Sequence, residues 1–263
     1  MHAAVIPFAS TFPEREPCTM KWLAALLFPL IATLAHAQPV LQHDLPLSYL
    51  AQAGANPQAH PLIIFLHGYG ANEEDLFEIH ERLFPDFTYL SVRAPMPLGE
   101  GRYQWFSKTT GDGPYEGVPE EVQRSLERLR AFVAEAGRKY QMAPKRIYLV
   151  GFSQGAMMSY ELALQYPESV AGIAVLSGKL TSGLREHLAP VPGLAQLPVF
   201  IGHGTADPIL PYTEATEANE ALLKVGIKAD FHAYPGMTHG VSKTEVDDLA
   251  KWLFQVTGMA ASH

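Results

Sequence analysis

Cysteine is almost absent from this chain of 263 residues, which contains only Cys18. A single cysteine cannot form a disulfide bond within the chain or build a cysteine-ligated metal site. Cys18 also precedes the segment that we describe below as a leader, and the residue after that segment is not a cysteine that could carry a lipid anchor. These facts exclude a disulfide scaffold, a thiol nucleophile and thiol redox chemistry in a processed chain.

Basic residues are also in short supply: 19 lysines and arginines stand against 27 acidic residues, for a formal net charge of −8. A nucleic-acid groove requires clustered cations against phosphates, so we expect no nucleic-acid partner. The chain has no H-E-x-x-H motif or spaced acid cluster for a metal, and no G-x-G-x-x-G opens its first strand–helix unit. We therefore predict neither a metal nor another cofactor.

No apolar run reaches the roughly 20 residues that span a bilayer, so we expect no integral membrane span. Residues 20–37 read M-K-W-L-A-A-L-L-F-P-L-I-A-T-L-A-H-A, with a basic start, a short apolar centre and small residues at the end. This layout is typical of a secretory signal peptide. We expect cleavage to leave a single domain, 38–263, that is periplasmic or secreted, with residues 1–19 as an unused upstream extension. The alternative is an uncleaved anchor or a disordered apolar extension.

Short apolar runs alternate with amphipathic segments along the rest of the chain, which predicts alternating strands and helices. The predicted strands are 61–66, 88–92, 146–150, 172–176, 198–201 and 229–234, and the predicted helices are 73–83, 119–140, 156–165, 213–225 and 242–256. The segment 96–118 is expected to be a long surface loop. This order predicts an α/β fold with a mostly parallel central sheet and helices on both faces. Ligands in such sheets bind beyond the carboxyl ends of the strands.

The segment G-F-S-Q-G at 151–155 lies between a predicted strand and a predicted helix. The pattern G-x-S-x-G alone is weak, because glycine is common enough for it to arise by chance. Its position is more informative. A serine on a sharp strand-to-helix turn projects from the sheet, flanking glycines relieve the crowding, and the helix N-terminus favours negative charge beside it. Ser153 is therefore the candidate nucleophile.

A serine hydroxyl needs a base, and the base needs a carboxylate that orients it. The expected chain order for a nucleophile elbow is serine, then acid, then histidine. Asp207 within G-H-G-T-A-D-P and His239 within P-G-M-T-H-G each follow a predicted strand. Because the carboxyl ends of parallel strands share one rim of the sheet, we predict a triad of Ser153, His239 and Asp207.

Four other residues could compete for these roles. His67 and His203 also follow strands, each beside a glycine, and we interpret both as histidines that brace turns. Asp230 and Asp247 fall inside a predicted strand and a predicted helix, where a solvated surface is the ordinary explanation. We therefore assign no catalytic role to these four residues.

The tetrahedral intermediate of acyl transfer requires hydrogen-bond donors for its oxyanion, usually two backbone N–H groups. One is expected from the residue after the nucleophile, Gln154. The other is expected from the loop after an early strand, where H-G-Y-G makes the N–H of Tyr69 the candidate.

Several motifs together resemble the α/β-hydrolase family of bacterial carboxylesterases, phospholipases and acyl-protein thioesterases: F-L-H-G-Y-G-A-N-E-E-D-L, R-A-P, Q-W-F, G-F-S-Q-G-A-M-M and G-H-G-T-A-D-P-I-L-P. The resemblance covers nearly the whole domain. It implies the α/β-hydrolase fold without a large cap domain, the triad and oxyanion donors named above, and in some members a homodimer. Trp105 and Phe106 match an aromatic pair near the acyl site of the family, and packing under a long loop is the equal alternative for them.

The chain departs from the family in two respects. Family members are usually cytoplasmic, whereas a leader indicates export. The residue after H-G is commonly leucine, and Tyr69 keeps the backbone donor but changes the wall of the pocket.

The function that these residues indicate is hydrolysis of small acyl esters by an exported serine carboxylesterase. The resemblance implies short to medium acyl chains and extends the substrates to thioesters and lysophospholipids. Two enzymatic alternatives remain, a polyester or feruloyl-type esterase and a serine peptidase of the same fold. A hydrolase-like binding module without activity is a third, since fold does not determine function.

Overall fold

The structure, a computed structural model, describes residues 39–54, 56–109 and 115–258. The predicted leader and the upstream extension lie outside these residues. The described strands are β1 Tyr49–Gln52, β2 Leu62–Leu66, β3 Thr88–Val92, β4 Met96–Gly99, β5 Arg102–Gln104, β6 Ile147–Phe152, β7 Gly172–Leu176, β8 Val199–Gly204 and β9 Asp230–Tyr234. The described α-helices are α1 Pro119–Lys139, α2 Gln154–Gln165, α3 Ser182–His187, α4 Tyr212–Lys224 and α5 Lys243–Val256.

A seven-stranded sheet has the order β1-β3-β2-β6-β7-β8-β9. Strand β1 pairs antiparallel with β3, and the other neighbouring strands pair parallel. Every residue of β2, β3 and β7 is buried, as expected for strands that are covered on both faces. The prediction of a mostly parallel sheet is confirmed. The edge strand β1 was not predicted, because its four residues carry no pattern of their own.

Side chains of the central strands point alternately into two apolar cores, one on each face. In β2, Leu62, Ile64 and Leu66 belong to one core, while Ile63 and Phe65 belong to the other. Helices α1, α2 and α4 pack on the first core, and α5 packs on the second with the 310 helix that precedes β3. Helices therefore cover both faces, as predicted.

Insertions between the strands of the sheet are small in the part of the chain that the structure describes. Between β7 and β8 the only α-helix is the six-residue α3, and no described segment forms a separate layer above the sheet. This agrees with a hydrolase that lacks a large cap. None of the helices in the described ranges is long and apolar enough to cross a membrane.

The α-helix predicted at 73–83 is wrong. The segment forms turns followed by the 310 helix Phe77–Arg82. The side-chain oxygen of Asn72 accepts the N–H of Glu74 at 2.8 Å, and the C=O of Asn72 accepts the N–H of Asp75 at 3.3 Å. These local bonds offer the backbone a tight turn in place of the first α-helical turn.

The prediction of an unstructured surface loop at 96–118 is also wrong in part. The segment begins with the antiparallel hairpin β4–β5, whose turn contains Gly99 and Gly101 with φ of 149° and 66°. Trp105 and Phe106, which follow the hairpin, have no exposed surface. The hairpin was missed because its strands are short and are stabilised by contacts with residues far away in sequence.

Two helix ends follow the signals in the sequence. Helix α4 is followed by Gly226 at φ 89°, and the N–H of Ile227 donates to the C=O of Leu222 at 3.0 Å, as in a Schellman motif. Helix α5 begins with a capping box, in which the Ser242 hydroxyl accepts the N–H of Glu245 at 3.1 Å and the Glu245 carboxylate accepts the N–H of Ser242 at 3.4 Å.

Glu245 is buried in this capping box, and burial raises its pKa to about 8 from the usual 4.5. Its Oε1 has no hydrogen-bond partner within the described ranges. An acid whose pKa is raised by folding takes up a proton when the chain folds. Its contribution to stability is therefore complete below the unfolded pKa and is lost as the pH rises through the folded pKa.

We expect Glu245→Gln to abolish this loss of stability, because glutamine keeps the capping box but cannot ionise. The variant should unfold at nearly the wild-type Tm at pH 5 and at a higher Tm at pH 9. In a domain of this size 1 kcal/mol corresponds to about 2–4 °C. Thermal unfolding at the two pH values checks this, and a Tm difference that does not change with pH would contradict it.

Candidate active site

Ser153 occupies the turn between β6 and α2 in a strained backbone conformation, with φ 53° and ψ −115°. Such conformations cost of order 1–3 kcal/mol and persist where the surroundings fix them. The N–H of Ser153 donates to the C=O of Leu176 at 3.0 Å, and its C=O accepts the N–H of Met157 at 3.0 Å. The turn therefore holds the hydroxyl at the carboxyl end of the sheet, where the sequence indicated that it would lie.

Gly151 and Gly155 permit close backbone contacts around this turn, Gly155 with the neighbouring strand β2 and Gly151 with the start of α2. A methyl group built on Gly155 would lie 1.9 Å from the carbonyl oxygen of Leu66, at the end of β2. One built on Gly151 would lie 2.3 Å from the carbonyl oxygen of Gly155. No side chain fits at either position, which is the physical reason for the two glycines of G-F-S-Q-G.

We expect Gly155→Ala to lower the free energy of unfolding by about 3 kcal/mol or more, at or beyond the upper end of typical overpacking costs. The Gly155→Ala variant should also lose hydrolytic activity, because the turn that carries Ser153 must move away from β2. Gly183→Ala is the matched control, since Gly183 lies in α3 with nothing within 4 Å of an added methyl group. Urea denaturation compares the two, and equal stability would contradict the prediction.

The side chains of Ser153, His239 and Asp207 are hydrogen-bonded in series. The Nε2 of His239 lies 2.9 Å from the Oγ of Ser153, and its Nδ1 lies 2.7 Å from the Oδ2 of Asp207. When Nδ1–H donates to the carboxylate, Nε2 has a free lone pair that accepts from the serine hydroxyl. The structure thus brings together the three residues that the sequence selected, from the ends of β6, β9 and β8.

The carboxylate of Asp207 is buried and surrounded by donors. Its Oδ1 accepts the backbone N–H groups of Ile209 at 2.8 Å and Leu210 at 2.9 Å, and its Oδ2 accepts from His239. The Nε2 of His203 lies 3.4 Å from Oδ2 and donates to the C=O of Leu210 at 2.9 Å. These bonds compensate the buried charge and fix its direction toward the imidazole of His239.

His67 and His203 brace turns, as we interpreted them. The Nδ1 of His67 donates to the C=O of Gly68 at 2.7 Å, and its Nε2 accepts the N–H of Ala94 at 3.0 Å. Burial lowers the pKa of His67 and of His203, which favours the neutral form of both rings. The contact between His203 and Asp207 was not predicted, although the spacing of four residues in H-G-T-A-D allows the two side chains to meet.

Asp230 and Asp247 lie at the surface, again as interpreted. The Oδ1 of Asp230 is 3.0 Å from the Nε2 of His232, and the carboxylate of Asp247 is 2.6 Å from Lys243 and 3.6 Å from Arg82. Across residues 39–54, 56–109 and 115–258, no group of three or more His, Cys, Asp or Glu side chains is arranged to hold a metal ion.

The two predicted oxyanion donors lie on segments that touch each other. A methyl group built on Gly68 would lie 3.2 Å from the Cβ of Ser153, so the H-G-Y-G turn contacts the serine directly. Among the described residues, no acceptor is hydrogen-bonded to the N–H of Tyr69 or of Gln154. The N–H of Gln154 lies in the first turn of α2, where such groups have no acceptor within the helix. Neither N–H group is therefore committed to an acceptor within the described part of the chain.

The H-G-Y-G turn is supported by the segment that follows β4. The N–H of Gly70 donates to the C=O of Tyr103 at 2.8 Å, and the N–H of Tyr103 donates to the C=O of Ala71 at 2.9 Å. The indole N–H of Trp105 donates to the C=O of His67 at 2.9 Å. The sequence contained no signal for these contacts, since they join residues about thirty positions apart in a segment without periodicity.

Trp105 and Phe106 contribute to the site differently from the role that the resemblance implied. Both are completely buried in the core against α1, and the Ser125 hydroxyl of α1 donates to the C=O of Trp105. Side chains without exposed surface do not contact a substrate. The structure therefore favours the packing interpretation for this pair.

A serine raised on a strand-to-helix turn of a parallel sheet, with a histidine from a later strand end beside it, defines the α/β-hydrolase class of enzymes. Within that class, the chain belongs to the phospholipase/carboxylesterase family, whose model matches residues 51–257. This confirms the resemblance and the fold class that the motifs indicated.

Individual relatives agree with this assignment. The chain is 31% identical over 231 residues to acyl-protein thioesterase 1 of Debaryomyces hansenii, across 78% of this chain and 94% of that protein. It is 29% identical over 205 residues to lysophospholipase-like protein 1 of Mus musculus, across 73% and 84%. The crystal structure of the Bacillus cereus carboxylesterase aligns with a TM-score of 0.69 and 25% identity, across 79% and 93%. The chain is accordingly an enzyme of an ester-hydrolysing family.

Proposed function

We propose that this protein hydrolyses carboxylic esters of short to medium acyl chains through an acyl-enzyme formed on Ser153. The observation that carries the proposal is the unbroken series of hydrogen bonds from Asp207 through His239 to Ser153. Membership of the phospholipase/carboxylesterase family supports the class of reaction. The names of the relatives support an acyl ester or thioester as the bond that is cleaved.

In acylation, the Nε2 of His239 removes the hydroxyl proton as the Oγ of Ser153 forms a bond to the carbonyl carbon. The carbonyl oxygen becomes an oxyanion, which the N–H groups of Tyr69 and Gln154 bind. The carboxylate of Asp207 stabilises the imidazolium and holds its ring in place. Nε2–H then protonates the leaving alcohol as the ester C–O bond breaks.

In deacylation, water takes the place of the alcohol. His239 removes a proton from the water molecule as the water oxygen attacks the acyl carbon. The same two N–H groups bind the oxyanion of this second tetrahedral intermediate. Collapse of this intermediate breaks the bond to Ser153, and His239 returns the proton to Oγ. The acid is released, and the enzyme regains its starting protonation state.

We expect Ser153→Ala to lower kcat by at least about 10³-fold on every ester tested, since the residual rate comes only from substrate binding and the oxyanion donors. The assay uses p-nitrophenyl esters of increasing chain length beside a matched thioester and a peptide anilide. A fluorophosphonate should label the wild type and fail to label the variant.

Ser159→Ala is the matched control, because Ser159 is a buried serine of α2 whose hydroxyl donates to the C=O of Gly155 at 3.0 Å. It should retain both turnover and labelling. Turnover by Ser153→Ala would remove Ser153 from the mechanism. Cleavage of the anilide without cleavage of any ester would favour a peptidase instead.

We propose in addition that the enzyme acts outside the cytoplasm, after removal of residues 20–37. The order of a basic start, an apolar centre and Ala35-His36-Ala37 supports this. The cleaving peptidase requires small residues at the two alanine positions and tolerates others between them.

N-terminal sequencing of the protein from the periplasm or culture medium should therefore give Gln38 as the first residue. Ala37→Arg should block processing, whereas His36→Arg, at the tolerant position, should leave it intact. A product that starts at Met1 or Met20 would contradict the proposal.

A further inference from the structure

The side chain of Gln154 has no part in the mechanism above, yet it is completely buried and both of its polar atoms are hydrogen-bonded. Its Oε1 accepts the backbone N–H of Trp105 at 3.0 Å. Its Nε2 donates to the C=O of Phe106 at 2.8 Å and to the hydroxyl of Tyr115 at 2.8 Å. A carboxamide carries the donor and the acceptor that match a backbone N–H and a neighbouring C=O. The turn after the nucleophile is thereby fastened to residues 105 and 106.

The same segment is fastened to the turn that carries the other oxyanion donor. The indole N–H of Trp105 donates to the C=O of His67, and this bond is buried. His67 is two residues from Tyr69, and its own ring is fixed by the C=O of Gly68 and the N–H of Ala94. A continuous series of buried bonds, the Gln154–Trp105–His67 bridge, therefore joins the segments that carry the two N–H groups.

We infer that the Gln154–Trp105–His67 bridge fixes the separation and direction of the Tyr69 and Gln154 N–H groups, and that the side chains of Gln154 and Trp105 are positioning residues for the oxyanion hole. The inference rests on the proposed function, in which those groups bind the oxyanion. The donors belong to separate segments, one after β2 and one after β6, so their spacing is not fixed by a single turn.

The positions of the two donors affect the free energy of the transition state more than that of the bound ester. Oxyanion donors act best about 2.7–3.1 Å from the position of the developing charge, and that charge is absent from the bound ester. A small shift of one donor therefore weakens the transition state more than the ground state. Loosening the bridge lowers kcat and leaves KM nearly unchanged, whereas damage to the substrate pocket raises KM.

Two substitutions interrupt the bridge at different bonds and retain the backbone N–H of residue 154. Gln154→Met removes the carboxamide oxygen that accepts the N–H of Trp105 and keeps a side chain of similar size, and Trp105→Phe removes the donor to His67 while keeping a ring in the core. Each should lower kcat about 10-fold to 100-fold with KM within twofold of wild type. The Ki of an alkylboronic acid, whose tetrahedral adduct on Ser153 places an oxygen among the donors, should rise by the same factor.

The kcat of the double variant distinguishes the loss of one shared series of bonds from two independent defects. Because either substitution interrupts the same series of bonds, the double variant should be no slower than about the slower single variant. Tyr148→Phe is the control: it removes a comparable bond, from the Tyr148 hydroxyl to the C=O of Val256 at 3.0 Å, in the core on the other face. Its kcat and Ki should match the wild type. Rates are expressed per active site, counted with a fluorophosphonate.

The inference is overturned by a raised KM at wild-type kcat, by losses that multiply in the double variant, or by an unchanged Ki beside a reduced kcat. Wild-type kinetics in both single variants also overturn it and leave the proposed function standing. Absence of turnover that depends on Ser153 in the wild type overturns the proposed function and this inference together.

Discussion

The contact between the first turn of α2 and the end of β2 is the constraint on which the site depends. Strands β2 and β6 are parallel neighbours that pair Leu66 with Gly151, so their carboxyl ends leave the sheet side by side. The hydrogen of Gly155 is all that separates α2 from the C=O of Leu66. This approach brings Ser153, the backbone N–H of Gln154 and the H-G-Y-G turn close together.

Charge in the site is concentrated on one carboxylate. Asp207 is buried and accepts two backbone N–H groups besides His239, while burial lowers the pKa of the nearby His203 and favours its neutral ring. The two backbone bonds to Oδ1 fix the carboxylate, so that its Oδ2 is directed toward His239. In the proposed mechanism, an imidazolium that forms in each half-reaction is therefore stabilised without movement of the carboxylate.

The placement of the three residues of the proposed triad at one rim of the sheet could be predicted from the sequence because each follows a predicted strand, and strands are recognisable as short apolar or alternating runs. Ser153, Asp207 and His239 are each of this kind. The contacts that hold the turns of the site in place could not be predicted in the same way. The hairpin β4–β5 and the bonds of Trp105 depend on partners that are distant in sequence, and neither leaves a periodic pattern. A resemblance to other chains suggested that Trp105 mattered, but not that it would be buried.

The order of the strands has a consequence for when the enzyme first becomes active. Strand β9 is the last of the described strands in the chain and lies at an edge of the sheet, and His239 follows it, 86 residues after Ser153. Contacts across such separations form slowly, after local structure. A chain that is still being synthesised, or is only partly folded, therefore holds Ser153 without the ring of His239 beside it. Under the proposed mechanism hydrolysis begins only when β9 joins β8, so activity would itself mark the completion of folding.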